Sequence, residues 1–270
     1  MIPKIIHYCW FGNNPKTKLA KKCIKSWKKY CPGYQIIEWN ESNFDISLAP
    51  LYVRQAYEHK KWAFVTDYVR LYAMFYYGGI YMDTDVEVIK PLDKFLIHQA
   101  FSGFEDEINI STGIMASEKG FPLFKIFLDY YQDKSFINRD NTLDVTTNVT
   151  IITKICKEKG LNPNNTFQVI EGFALYPNDY FCPIDYDTKI LKKTENTCTI
   201  HWFSGSWLTK KEKERQKERQ KELKKILFIK RKNNVKHYVL RIPNRILKKL
   251  LGEDNYDKLK KKIKNKQASD

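Results

Sequence analysis

The segment Gly78-Gly79-Ile80-Tyr81-Met82-Asp83-Thr84-Asp85 decides the fold class. Its two glycines end a helix that the 3.6-residue periodicity predicts over Trp62 to Tyr77. Ile80 to Met82 are apolar and predict a short buried strand, and two aspartates follow where that strand ends. Because ligands of open α/β sheets bind beyond the carboxyl ends of the strands, this stretch predicts a ligand site at a sheet edge.

The preceding residues predict the first units of the same sheet. Lys4 to Trp10 is typical of a buried strand, Thr17 to Tyr30 of a helix, and Gln35 to Trp39 of a second strand. This β-turn-α-β order predicts an α/β nucleotide-binding layer. Further strands are predicted at Val86 to Ile89, Ala100 to Phe104 and Ile110 to Ala116 and near Phe167 and Thr199, and further helices at Phe121 to Tyr131 and Thr146 to Lys159.

The charge of the chain divides it into a body and a tail. The 270 residues are 43% hydrophobic and carry a formal net charge of +16, which suits one α/β domain with an appendage. From Thr209 onward 23 Lys or Arg stand against 8 Asp or Glu, whereas residues 1–208 hold 24 against 23. We therefore expect a nearly neutral domain at 1–208 and a basic helical extension at 209–270.

The cysteines and the N-terminal residues favour a cytoplasmic protein. The six cysteines form no CxxC pair and no His/Cys cluster at zinc spacing, which favours reduced thiols. The sequence begins with a strand-like segment rather than a signal peptide, and no apolar run approaches the roughly 20 residues of a membrane span. We expect a cytoplasmic location, with peripheral contact at the inner face of the membrane through residues 209–270.

Asp83 and Asp85 are the strongest candidates for chemistry. Side chains two residues apart lie on one side of an extended strand, so one carboxylate can bind a divalent cation while the other orients ribose or sugar hydroxyls. The alternative is an acidic β-turn without a ligand. Asp185-Tyr186-Asp187 has the same spacing but lies just after Pro183 and follows no predicted strand, so we interpret it as a turn.

Other polar and aromatic residues leave two interpretations open. Asp67 and Arg70 lie three residues apart on a predicted helix among apolar neighbours, either as a functional pair or as a plain i,i+3 ion pair. Trp10 ends the first strand, where an indole stacks on a base or fills the core. His201 is either a ligand for a Mn²⁺-like ion or a polar residue satisfied by the protein.

Four segments carry a resemblance to a known family: Ile2 to Gly12, Ala63 to Tyr72, Gly78 to Asp85 and His201 to Trp207. Taken in order, they closely resemble glycosyltransferase family 32. That family includes bacterial capsular and lipopolysaccharide sugar transferases and yeast-type initiating mannosyltransferases, and it is similar to the glucosyltransferase domain of the large clostridial toxins. The resemblance covers about residues 2–208.

The resemblance implies a GT-A-like nucleotide-binding fold, with a mixed central sheet flanked by helices, and an enzyme of the hexosyltransferase class that retains the anomeric configuration. It implies a UDP- or GDP-sugar donor, with a UDP-hexose favoured, and Mn²⁺ or Mg²⁺ as the cofactor. A saccharide or lipid-linked saccharide is the implied acceptor, in capsule, lipopolysaccharide or exopolysaccharide synthesis.

The resemblance also assigns roles to residues around the donor. Trp10 would stack on the base, Asp67 and Arg70 would hold the ribose and the donor sugar, and Asp83 would contact ribose and sugar hydroxyls. All four are thereby assigned to donor binding, and Asp67, Arg70 and Asp83 also to catalysis.

The remaining roles concern the metal and a flap. Asp85, which the resemblance places among the catalytic residues, would bind the metal directly, and His201 would be the second protein ligand. Ser206 and Trp207 would close over the diphosphate as a mobile flap.

Two segments depart from the family's pattern. Relatives usually carry an asparagine before an apolar run where this chain has Ile110-Ser111-Thr112-Gly113-Ile114, and many have Thr-Gly-Pro where it has Thr147-Asn148-Val149. Both segments are expected near the donor sugar or the acceptor, so the sequence does not determine which sugar is transferred. No carboxylate is placed as a covalent nucleophile, which favours a front-face substitution.

Two other classes of protein compete with this interpretation. A glycoside hydrolase places its two carboxylates on opposite sides of the scissile bond, whereas Asp83 and Asp85 share one side of one strand. A nucleic-acid or anionic-surface binding protein on a catalytically dead transferase fold would use the basic tail. The nearly neutral body and the intact acidic motif argue against it, and we expect no nucleic-acid partner.

The tail has a basic amphipathic pattern. Such a segment can lie in a lipid interface, and the alternative is a helix that packs its apolar stripe on the body. Pro243 should kink or interrupt the helix. The residues that can gather on the apolar side are Val239, Ile242, Ile246, Leu247, Leu250 and Leu251, and those on the basic side are Arg241, Arg245, Lys248 and Lys249.

Overall fold

The computed structural model describes residues 1–205 and 210–233, together with positions 248–249, 252, 256–258 and 260. Among the described residues the helices are α1 Lys18–Tyr30, α2 Leu51–Glu58, α3 Trp62–Tyr77, α4 Pro122–Asp129, α5 Asn148–Glu158, α6 Asn178–Phe181 and α7 Lys210–Asn233. The strands are β1 Ile5–Cys9, β2 Gln35–Trp39, β3 Gly79–Met82, β4 Val86–Val88, β5 Ala100–Gly103, β6 Ile114–Ser117, β7 Gln168–Ile170, β8 Phe173–Tyr176 and β9 Thr199–His201.

Seven strands form one mixed sheet in the order β2-β1-β3-β6-β5-β8-β7. β1 runs parallel to β2 and to β3, whereas β3 and β5 run antiparallel to β6. Because β1 and β3 are parallel neighbours, their carboxyl ends meet at one edge of the sheet. The residues that follow Cys9 and Met82 therefore leave the sheet side by side, where open α/β sheets bind ligands.

Helices cover both faces of this sheet because its central strands are apolar on both sides. In β3, Ile80 and Met82 pack into one core cluster and Tyr81 packs into the other. The Tyr81 cluster is filled mainly by α2, α3, α4 and α5, and the opposite cluster by α1, β4 and α6. Packing on both faces of the sheet thus fixes the position of β3.

Two consecutive glycines turn the chain from α3 into β3. Gly78 adopts a φ of 69° and its N–H donates to the carbonyl of Met74, which ends the helix. Gly79 has a φ of 105°, and a Cβ at this position would lie 2.7 Å from the carbonyl oxygen of Ile5 in β1. Residues with a side chain rarely adopt these angles. The glycines therefore allow β3 to start directly against β1.

The predicted α/β class and the mixed central sheet flanked by helices are confirmed. The prediction of a strand over Ile110 to Ala116 was wrong in its start, because Ile110 makes only an isolated bridge to Phe104 and β6 begins at Ile114. Sequence analysis missed α2, β8 and α6. All three are short, with eight, four and four residues, so their periodicity is too brief to predict them.

The contacts between Cα atoms group residues 1–185 and 190–207 into one compact unit, and residues 186–189 and 208–270 into another. The second unit contains α7, in which Arg219 pairs with Asp187 at 2.8 Å. Within the described part of the chain, no helix is both long and apolar enough to cross a membrane. The predicted kink at Pro243 and the whole apolar side predicted for the tail lie outside the described residues, which leave out Val239, Ile242, Ile246, Leu247, Leu250 and Leu251.

Candidate active site

Asp83 and Asp85 lie on a tight turn between β3 and β4. The N–H of Val86 donates to the carbonyl of Asp83 over 2.9 Å, so residues 83–86 form a hydrogen-bonded turn. The prediction that the two aspartates share an extended strand was therefore wrong. The turn is fixed at its start because the N–H of Asp83 donates to the carbonyl of Gly113 over 2.8 Å. Both carboxylates nevertheless face a common partner.

That partner is His201, which β9 brings to the acidic turn. Val86 of β4 pairs with His201 of β9 in a two-stranded antiparallel sheet. Nε2 of His201 lies 3.2 Å from Oδ1 of Asp85 and 3.9 Å from Oδ2 of Asp83. One ligand atom from each of the three residues lies within 4.8 Å of the other two. The structure therefore gathers an Asp-Asp-His cluster from two distant parts of the chain.

Asp85 and His201 each stabilise the charged form of the other. Burial acts to raise the pKa of Asp85, but the facing imidazole and the N–H of Ser204, which donates to Oδ2 over 2.7 Å, hold this pKa well below its usual range. Burial acts to lower the pKa of His201, but the Asp85 carboxylate outweighs it and holds the pKa well above its usual value. The two groups therefore favour a charged pair, in which a cation could take the place of the imidazole proton.

The donor atoms of this cluster suit a divalent cation. Carboxylate oxygens are ligands for Mg²⁺ and Mn²⁺, and imidazole serves first-row transition metals. Nδ1 of His201 is buried and has no hydrogen-bond partner among the described residues, whereas Nε2 faces the two carboxylates. The Cys182 thiol also acts to raise the pKa of the ring, although less than Asp85 does. Residues Asp83, Asp85 and His201 therefore fit a metal ion at the end of β3.

Arg70 connects Asp67 to the acidic turn. Its Nη2 lies 3.1 Å from Oδ1 of Asp67, and its Nη1 lies 3.3 Å from Oδ1 of Asp83. Nη1 also donates to the carbonyl of Thr112 over 2.5 Å, and the guanidinium lies 4.7 Å from the centre of the Tyr81 ring. Asp67 and Arg70 are only 7% and 5% exposed. They are therefore a buried pair joined to the cluster and not a solvated i,i+3 pair.

Asp67 is held from its other side by the start of α5. The N–H of Asn148 donates to Oδ2 of Asp67 over 3.2 Å, and Nδ2 of Asn148 donates to the Asp67 carbonyl over 2.7 Å. The hydroxyl of Tyr131 donates to Oδ1 of Asn148 over 2.6 Å. Burial raises the pKa of Asp67 to about 6, although Arg70 and the Asn148 N–H favour the charged form.

Sequence analysis missed the role of Asn148 in this network. It placed Thr147-Asn148-Val149 near the donor sugar or the acceptor, whereas the Asn148 side chain is fully buried and bonds within the protein. The available signal was a polar residue at the start of a predicted helix. That signal could have indicated a cap, but it could not show that the partner was Asp67.

Trp10 follows β1 at the edge of the sheet where Asp83 leaves β3. Its indole is partly buried against the core. Nε1 of the indole donates to the carbonyl of Asn14 over 2.6 Å, and Nζ of Lys16 lies 5.7 Å from the ring centre. Trp10 thus packs against the core and keeps part of its surface exposed.

Residues 202–205 run from β9 along the acidic turn. The N–H of Trp202 donates to the carbonyl of Asp85 over 3.0 Å, and its indole Nε1 donates to Glu87 over 2.9 Å. The next residues of the predicted flap, Ser206 and Trp207, lie outside the described residues. Residues 186–188 of the second aspartate pair form a turn, as interpreted from the sequence, and Asp187 pairs there with Arg219.

Comparison with known proteins finds relatives of part of the chain. Residues 17–102 match a family described as glycosyltransferase sugar-binding region containing DXD motif. Over 127 residues the chain is 31% identical to inositol phosphoceramide mannosyltransferase 3 of Schizosaccharomyces pombe, covering 45% of this chain and 35% of that protein. Over 206 residues it is 26% identical to the uncharacterized glycosyltransferase L373 of Acanthamoeba polyphaga mimivirus, covering 68% of this chain and 78% of that protein.

Among solved structures, the PaToxG glycosyltransferase aligns with 47% of this chain and 59% of its own, at 21% identity and a TM-score of 0.41. The chain spans about a third of the length of the fission-yeast relative. The family match contains α3, β3 and the acidic turn, and therefore two of the four segments that indicated the family. The predicted resemblance to DXD-containing glycosyltransferases is confirmed by that match.

Proposed function

We propose, because residues 17–102 match the model of a DXD-containing glycosyltransferase family, that this protein transfers a hexose from a nucleotide sugar to a saccharide acceptor and retains the anomeric configuration. The observation that carries the proposal is the cluster of Asp83, Asp85 and His201, whose ligand atoms lie within 4.8 Å of one another. The cluster lies beyond the carboxyl end of β3, where α/β sheets bind nucleotide ligands. The body of the enzyme would be residues 1–208, with 209–270 as an accessory extension.

The donor that we favour is a UDP-hexose. The partly exposed ring of Trp10 lies at the same sheet edge as the acidic turn and would stack on the base. Asp67 and Arg70 would contact the ribose and the donor sugar, and they would also orient Asp83 through the ion pair between Arg70 and Asp83. Closure of Ser206 and Trp207 over the diphosphate is part of the proposal.

Mn²⁺ or Mg²⁺ is the cofactor that we propose. Asp85 and His201 would hold the ion, and Oδ2 of Asp83, 3.9 Å from the imidazole Nε2, would lie beside them. When bound, such an ion neutralises the negative charge that develops on a diphosphate leaving group. The low pKa of the Asp85 carboxyl, held down by its protein neighbours, keeps this ligand charged at neutral pH.

The protein would act mainly by positioning and by electrostatic stabilisation. Both oxygens of the Asp67 carboxylate are engaged, by Arg70 and by the N–H of Asn148. Oδ1 of Asp83 accepts from Tyr81 over 2.7 Å and faces Arg70. Because the Asp67 carboxylate and Oδ1 of Asp83 are engaged by the protein, and Oδ2 of Asp83 faces the proposed ion site, we propose a front-face substitution in which the departing phosphate takes the proton of the acceptor hydroxyl.

The acceptor that we propose is a saccharide or a lipid-linked saccharide of capsule, lipopolysaccharide or exopolysaccharide synthesis. The name of the fission-yeast relative points to a different acceptor, an inositol phosphoceramide. An inositol-phosphate lipid is therefore the second acceptor to test. A cytoplasmic location, with the basic extension at an anionic membrane surface, would give access to either lipid-linked acceptor.

A nucleotide-release assay tests the proposal. Purified protein is incubated with UDP-glucose, UDP-galactose, UDP-N-acetylglucosamine or GDP-mannose in the presence of Mn²⁺, with and without a chelator, and the free nucleotide is measured. We expect metal-dependent release from one donor, with a UDP-hexose fastest, and a product with retained configuration by NMR.

The same assay separates the competing functions. Release from no donor, with retained binding to anionic liposomes, would favour a surface-binding protein on a dead transferase fold. Release that continues in the chelator would remove the metal from the proposal. Fastest release from GDP-mannose would correct the donor but keep the reaction class.

A further inference from the structure

Gly113, the residue before β6, lies directly against the imidazole of His201. An ideal Cβ at Gly113 would lie 2.7 Å from both Cε1 and Nδ1 of that ring and 3.4 Å from Oδ2 of Asp83. Carbon atoms in contact are about 3.5–4.0 Å apart. Since the φ of Gly113 lies outside the left-handed region, its backbone does not require a glycine. A side chain is excluded at Gly113 because the His201 ring fills the space that it would occupy.

Neither the backbone of Gly113 nor the imidazole of His201 can move away freely. The carbonyl of Gly113 accepts the N–H of Asp83 over 2.8 Å, which fixes its backbone to the acidic turn. The backbone of His201 pairs with Val86 in the two-stranded sheet, and the Phe203 ring lies 4.0 Å from the imidazole, centre to centre. A methyl group at Gly113 would therefore shift the imidazole ring relative to the carboxylates.

We infer that Gly113 is a positioning residue for the metal cluster: its missing side chain lets Nε2 of His201 approach Asp85 to 3.2 Å and Asp83 to 3.9 Å. This inference rests on the proposed function insofar as a metal binds there. Groups that orient metal ligands change metal affinity by about 10–100-fold. We expect Gly113→Ala to weaken Mn²⁺ binding by at least about tenfold.

Gly103 in β5 supplies a matched control. Its φ also lies outside the left-handed region, and a Cβ there would lie 2.8 Å from Cδ2 of Phe181. Gly103→Ala therefore creates a clash of similar size with an aromatic ring of the core, and a contact of 3.1 Å with the Tyr176 carbonyl oxygen, outside the cluster. Both substitutions should lower the melting temperature, but only Gly113→Ala should weaken Mn²⁺ binding.

Mn²⁺ alone is the probe, titrated into each folded protein while the signal of free Mn²⁺ is followed by electron paramagnetic resonance. Gly113→Ala affinity within about threefold of the wild type would overturn the inference, as would an equal loss in Gly103→Ala, given the scale expected for ligand-orienting groups. If the wild-type protein binds no Mn²⁺ in this titration and shows no Mn²⁺ dependence in the donor assay, the proposed metal site is wrong and the inference falls with it.

A double variant tests the clash independently of the metal. If the methyl group collides with the imidazole, Gly113→Ala should lower the melting temperature in the wild-type background but much less in a His201→Ala background, where the ring is absent. The same comparison for Gly103→Ala should show no such difference. An equal loss of melting temperature by Gly113→Ala in both backgrounds would show that His201 is not the neighbour that excludes the side chain.

Discussion

The carboxylate of Asp67 accepts the backbone N–H of Asn148, the first residue of α5, over 3.2 Å. The Asn148 side chain joins the same two elements, because its Nδ2 donates to the carbonyl of Asp67 and its Oδ1 accepts from Tyr131. All of these groups are buried. The start of α5 is thereby fastened to α3 next to the Arg70 side chain.

Asn148→Ala should lower the free energy of unfolding by about 1–3 kcal/mol, because it removes two buried hydrogen bonds, one to the carbonyl of Asp67 and one from the hydroxyl of Tyr131. Urea unfolding measures the change. Asn138→Ala is the control, since Asn138 is exposed and donates only to Thr142, and it should cost less than about 0.5 kcal/mol. Equal effects of the two substitutions would show that the buried contacts of Asn148 do not stabilise the fold.

Asp85→Asn should abolish sugar transfer and Mn²⁺-dependent UDP binding, because it removes a charge and a coordinating oxygen from the cluster. Asp83→Asn should also be severely impaired. Asp187→Asn is the control, since Asp187 has the same DXD-like spacing but pairs with Arg219, both partly exposed, on a turn, and it should stay near wild-type activity. Loss of activity in Asp187→Asn with retention in Asp85→Asn would refute the assignment of the motif.

Trp10→Ala should weaken UDP binding in the presence of Mn²⁺ by about 1–3 kcal/mol, the usual contribution of one base stacked on an aromatic ring. Trp10→Phe should recover part of the affinity because it restores a flat ring. Isothermal titration calorimetry gives both values. Wild-type affinity in Trp10→Ala would assign the indole to the core alone.

His7 should make the stability of the fold depend on pH. Its Nε2 contacts the carbonyl of Gly78 at 2.9 Å and its Nδ1 accepts from the indole of Trp39, and burial lowers its pKa from 6.5 to about 4. Between these values the unfolded chain binds a proton that the folded protein does not, so stability falls as the pH falls. The loss should reach about 3 kcal/mol from pH 7 to pH 4.

Urea unfolding of the wild type and of His7→Gln at pH 7, 6, 5 and 4 isolates this contribution from those of other groups. The difference in the free energy of unfolding between the two proteins should shrink as the pH falls, because only the wild type carries the imidazole. His59→Gln replaces an exposed histidine and serves as the control. If the difference in the free energy of unfolding between the wild type and His7→Gln does not change with pH, the prediction that His7 is buried in its neutral form is wrong.

The basic extension should bind anionic membranes without taking part in the chemistry. Protein truncated after Lys211 should keep hydrolysis of the nucleotide sugar but lose binding to anionic liposomes at low salt, because each Lys or Arg near such a surface contributes about 1 kcal/mol. Flotation and the nucleotide-release assay measure the two properties. Full-length protein that ignores the liposomes, or truncated protein that unfolds, would indicate a structural role for the extension.

The sequence by itself determined the elements with strong local signals. The paired glycines predicted the end of α3 and the start of β3 because few other residues adopt their backbone angles. Periodicity predicted α3, which carries Asp67 and Arg70. The uneven charge predicted a helical tail, of which α7 is the described beginning.

Only the tertiary structure decided how the site closes. Asp85 meets Ser204, 119 residues further along the chain, and His201 beside it, because β4 pairs with β9. The contacts of Asn148 with Asp67 and of Gly113 with His201 likewise join distant segments. Periodicity and turn residues indicate the secondary structure that a segment favours. These contacts instead depend on which strands pair and how closely they pack, and both are properties of the whole sheet.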